Sequence, residues 1–144
     1  MAAMNASFEG SRLGVFAGLP QFRSVWPARG WSWDSRYDCI ASTIAVDYAD
    51  EAWNASLRIF QEVWDEGKMR AAPSIVRRIG EQTGGVRSDQ YILTTAQHDD
   101  LMLYGLWWPW GGESSHISMR MGLAGDASDD DRNELRELFK VADD

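Results

Sequence analysis

The chain has 144 residues and 16.2 kDa, enough for one domain with a genuine hydrophobic core and little room for two. Hydrophobic residues make up 44% and charged residues 25%, an ordinary globular balance that excludes disorder as a global description. The 22 acids outnumber the 14 Lys and Arg, and the net charge of −8 argues against nucleic-acid and membrane-surface partners.

Residues 1–10 read as a flexible N-terminus and 11–144 as a single domain. Glu9 and Arg12 interrupt the segment Met1 to Leu19, Leu13–Leu19 is too short for the apolar region of a signal, and no stretch approaches the roughly 18 apolar residues that span a bilayer, so a cytoplasmic home is expected. Leu13–Leu19 suggests a short strand ended by Pro20, and residues 20–35 an irregular loop that packs down Trp26, Trp31 and Trp33.

Asp38–Val46 is a good strand. Ile40, Ile44 and Val46 share one face, and Cys39, Ala41, Thr43 and Ala45 make the other face small enough to lie under a helix. The strongest helix pattern covers Asp50–Glu66, where Trp53, Leu57, Phe60 and Trp64 recur at helical spacing before Gly67. A second helix starts near Pro73, with Ile75, Val76 and Ile79 as its stripe, and stops at Gly84-Gly85.

Three strands follow. Gln90–Ala96 alternates weakly, Leu101–Trp108 is apolar on both faces, and His116–Leu123 turns Ile117, Met119, Met121 and Leu123 inward. The last helix begins behind Ser128 and Asp131, which approximate a capping box. The predicted fold is α+β: a four- to five-stranded, mainly antiparallel sheet with two central helices (about 50–66 and 73–83) and a C-terminal helix (about 129–142).

Nothing in the pattern names a reaction. The cluster His98, Asp99, Asp100 and His116 is split by the intervening strand, which spans about 26 Å, and Gln-His-Asp-Asp reads equally well as a hydrophilic turn. Cys39 lies in an apolar strand and reads as a buried small hydrophobe. No phosphate loop or metal-ligand spacing occurs, so no catalytic residue, metal or cofactor is assigned and an enzyme is not expected.

Eight Trp residues and an uneven charge are the informative features. Trp53 and Trp64 read as core, whereas Trp110 follows Pro109 in a Gly-rich loop with little local reason to be buried. Between Asp126 and Asp144 stand eight acids against Arg132, Arg136 and Lys140, a net −5. A solvated helix face accounts for most of this, and rings that plug the sheet ends account for most Trp.

The sharper expectation is a protein-binding module that neutralises a basic partner by occlusion through Trp110, Glu113, Asp129, Asp130, Asp131 and Glu134. In general design this resembles bacterial immunity proteins and antitoxins, a likeness carried by size, acidity and exposed rings. One alternative is a small-ligand binder or enzyme with a Trp-lined cleft anchored by Tyr104, His116 and Arg120. Another is a homo-oligomeric structural subunit; the sequence leaves the oligomeric state open.

Overall fold

The computed structural model describes residues 14–28, 30–97, 100–110 and 115–141. The fold is α+β, built on a six-stranded sheet in which every neighbouring pair is antiparallel. The strands are β1 (Ser32–Asp34), β2 (Cys39–Ala45), β3 (Glu62–Trp64), β4 (Tyr91–Thr94), β5 (Leu101–Pro109) and β6 (His116–Gly125). Their spatial order is β1-β2-β6-β5-β4-β3, so the two longest strands sit at the centre and the two shortest at the edges. The helices are α1 (Leu19–Val25), α2 (Ala49–Leu57), α3 (Ser74–Gln82) and α4 (Asp129–Leu138).

Antiparallel partners share a face, so register sorts the side chains. One row runs Trp33, Ile40, Met121, Gly105, Leu93, Val63, and the next on the opposite face runs Ser32, Ala41, Arg120, Leu106, Ile92, Trp64. The first face carries the larger core. Leu19 and Phe22 of α1, Ala52 and Ala55 of α2, and Leu135 with Phe139 at the end of α4 close over it. Phe22, Trp26, Trp31 and Phe139 form one ring cluster there, with Trp31 and Phe139 centroids 4.9 Å apart. The Trp26 indole N–H donates to the Ser42 hydroxyl at 3.0 Å, which satisfies both polar groups inside that core. Gly105 makes room for Phe60, because a Cβ there would stand 3.0 Å from Phe60 Cζ and 2.8 Å from Met119 Cε.

The second face is covered in part. Val76 and Ile79 of α3 pack on Ile92, Met102, Tyr104 and Leu106. Here helix start, stripe and stop follow the sequence pattern: Pro73 precedes the helix, and Gly84 (φ 90°) and Gly85 (φ 87°) supply the left-handed exit. The Ser128–Asp131 capping box at α4 also forms as expected. The chain crosses the sheet with six strands, one or two more than the pattern suggested.

Several expectations are corrected. Pro20 opens α1 instead of ending a strand, since its fixed φ suits a first helical turn, and residues 20–25 are therefore helical. The helix expected over 50–66 stops at Leu57, and residues 62–64 form edge strand β3. Ser56 donates its hydroxyl back to the Ala52 carbonyl at 2.8 Å, and the aromatic and β-branched run from Ile59 to Trp64 gains a ladder on β4. The buried face of α2 is Ala52, Ala55 and Ser56; Leu57, read as a stripe residue, is exposed. Val46 leaves the strand for a single 3-10 turn and is also exposed. The helix expected over 129–142 ends at Leu138.

Candidate functional site

The small face of β2 was expected to lie under a helix. A side chain crosses it instead: Arg120 of β6 reaches over the β2 strand to edge strand β1, where its Nε donates to the Asp34 carboxylate at 2.9 Å. Its Nη1 donates to the Ser118 hydroxyl at 2.9 Å, and its guanidinium lies 4.8 Å from the Trp108 ring centroid. Tyr37, in the β1–β2 turn, meets Trp108 edge-on at 5.8 Å. Burial raises the Asp34 pKa, but hydrogen bonds from Arg36 and Arg120 outweigh it and hold the carboxyl at about 2. Thr43 is exposed and Ala41 and Ala45 are half-buried, so this half of the second face has no helix over it among the described residues.

The same face continues to the end of the sheet where β6 begins. His116 pairs with Ala45, and the Trp110 backbone N–H donates to the His116 carbonyl at 3.0 Å. The Trp110 and His116 rings lie 4.7 Å apart. Beyond Ala45, the Val46 N–H donates to the Ser115 carbonyl at 2.9 Å, which fixes the 3-10 turn beside the start of β6. Val46, Tyr48 and Trp110 are 44%, 50% and 48% exposed, three of the five exposed large apolar side chains among the described residues. Asp47, Asp50 and Glu51, all exposed, border them at the start of α2.

The expected partner-binding residues do not converge. Trp110 lies beside the first residue of β6, whereas Asp129, Asp130 and Glu134 follow its last, and ten strand residues put about 30 Å between the two ends. Asp129, Asp130 and Glu134 are exposed as expected. Asp131 is not available on that surface: it is 7% exposed, and its carboxylate accepts the Ser128 N–H at 2.9 Å. Glu113, and His98 and Asp99 of the hydrophilic turn, lie outside the described residues.

Tyr104, His116 and Arg120 do share a face of the sheet, but not a cavity. The cleft lined by Tyr104 includes neither of the others, and Arg120 is already bonded to Asp34 and Ser118. Cys39 is fully buried, and burial, helped by nearby Asp34, pushes its thiol up to about 12, which leaves it inert. Among the described residues no group of three His, Cys, Asp or Glu side chains is placed to hold a metal, and no helix is long and apolar enough to cross a membrane.

Val46, Tyr48 and the acids around them were missed by sequence reasoning. Asp50 and Glu51 in the first turn of α2, and Asp47 in the 3-10 turn before it, are also favourable charges for a helix start, which hides any other role. The pointer was Tyr48 itself, a ring between two acids at a strand end. No family model, curated protein or solved structure matches this chain.

Proposed function

We propose that this domain is an acidic protein-binding module of the cytoplasm that neutralises a basic partner by covering its working surface, as immunity or antitoxin-type inhibitors of bacterial toxins do. The observation that carries the reading is the exposed trio Val46, Tyr48 and Trp110 at one sheet end, bordered by Asp47, Asp50 and Glu51. Aromatic side chains supply most of the affinity in such contacts when a partner desolvates them, and surrounding acids accelerate encounter with a basic surface. A second acidic surface adds to the steering field. On α4, Arg136 folds down over the Trp33 ring with 3.8 Å to its centroid, so Asp129, Asp130, Glu134 and Glu137 dominate the outward side.

The test is to express the products of adjoining genes with and without this chain, score growth, and titrate the neutralised product in purified form. Tyr48→Ser with Trp110→Ala is expected to weaken the complex by about 100-fold, the scale of a hot-spot pair. Asp47→Asn with Asp50→Asn is expected to slow association and flatten its salt dependence. Neutralisation unchanged by the aromatic double substitution would remove the reading.

A further inference from the structure

At the opposite end of the second face lies a cleft of about 410 Å³, within the size range of small-molecule sites. Its floor is set by a glycine. Tyr104 of β5 pairs directly with Gly122 of β6, and a Cβ at 122 would stand 2.5 Å from the Tyr104 hydroxyl. The ring therefore lies flat across β6 and sends its hydroxyl toward the β1–β2 turn, where the cleft opens. Tyr104 is only 6% exposed, yet its hydroxyl makes no hydrogen bond to any described residue. The ring is packed away while the hydroxyl still reaches the water of the cleft, where a ligand atom can accept its hydrogen. Burial raises the Tyr104 pKa, so the group remains a donor throughout the physiological range.

The walls carry both signs of charge. Arg132 projects from the first turn of α4, and its ion pair to Asp129 is long, 3.6 Å, to a carboxylate that is fully exposed. Arg36 stands on the β1–β2 turn beside Asp38, whose backbone is left-handed (φ 51°), and the Gln82 amide closes the side formed by α3. Arg132, the Asp38 carboxylate and a water-facing O–H donor describe a receptor for a molecule with separated charges, with Arg36, already paired to Asp34, adding positive charge to the wall. We propose that this cleft binds a small zwitterion of amino-acid size, its carboxylate held by Arg132 and the Tyr104 hydroxyl and its ammonium facing Asp38. The site stands apart from the aromatic end of the sheet and does not depend on the partner proposed there.

The experiment is calorimetric titration of the full chain with L-glutamate and with glutarate, which has the same two acids but no ammonium. Glutamate is expected to bind in the millimolar range or tighter, with Tyr104→Phe and Arg132→Gln each weakening it about tenfold. Asp38→Asn is expected to weaken glutamate and spare glutarate. In the free protein, Tyr104→Phe is expected to unfold at the same or higher urea concentration, because the hydroxyl it removes has no internal partner. Absence of glutamate binding to the wild type, equal binding to Tyr104→Phe, or a lowered urea midpoint for that variant would each overturn the proposal.

Discussion

The two faces of the sheet bury their residues by different means. One is closed by three helices and a cluster of four rings, with its polar groups paired internally. The other is closed in part by one helix, and an arginine stretched between strands lies over the small face of β2. Packed apolar surface is stabilising in proportion to area and indifferent to pH, whereas an ion pair at a surface is modest, directional and dependent on protonation. The closed face therefore sets stability, and the open one is left free to meet other molecules.

The sharpest way to break this contrast is Phe139→Ala. Its ring touches Trp31 and Phe22 at the centre of the closed core, and the loss is expected to be about 3–5 kcal/mol, read from urea unfolding. Gly122→Ala should follow at about 1–3 kcal/mol, because the new methyl displaces the Tyr104 ring. A double-mutant cycle with Tyr104→Leu should recover part of that cost.

The third prediction concerns acid. The Asp34 carboxyl is depressed from 3.8 to about 2 in the folded protein, so its contribution is complete above its unfolded value and fades as pH falls toward about 2. It amounts to about 2 kcal/mol, less in salt because Arg36 is exposed, and Asp34→Asn should erase that part of the acid slope. The smallest effect on folding should be Trp110→Ala, within about 0.5 kcal/mol, even though the same change is expected to weaken partner binding strongly. A large stability loss at Trp110 would mean that the open end of the sheet serves the core.

What the sequence revealed follows from the range of the forces involved. The alternation of β6, the two-sided burial of β5, the boundaries of α3 and the cap of α4 are written in neighbouring residues, and all appear in the structure. The exposure of Trp110 also followed from its own loop. Residues 50–66 misled because Trp53, Leu57, Phe60 and Trp64 repeat at helical spacing by coincidence, while the choice of strand for 62–64 depends on pairing with β4 some thirty residues on. The Asp34–Arg120 bond joins positions 86 apart, and only the register of β1 on β2 and β2 on β6 brings them together. The same register sets Val46, just past β2, at the sheet end that holds Trp110, and separates Trp110 from Asp129.

The placement of three-residue strands at both margins of the sheet has a consequence for assembly. A long bare margin is a template on which a foreign segment can continue the ladder, the route to runaway aggregation and to recognition by strand addition. Here the outermost segments offer too few free amides and carbonyls for that, and Glu62, Asp34 and Arg36 put charges close by. Strand addition at these margins is therefore disfavoured, so contacts made there rest on shape and charge that a few substitutions can retune.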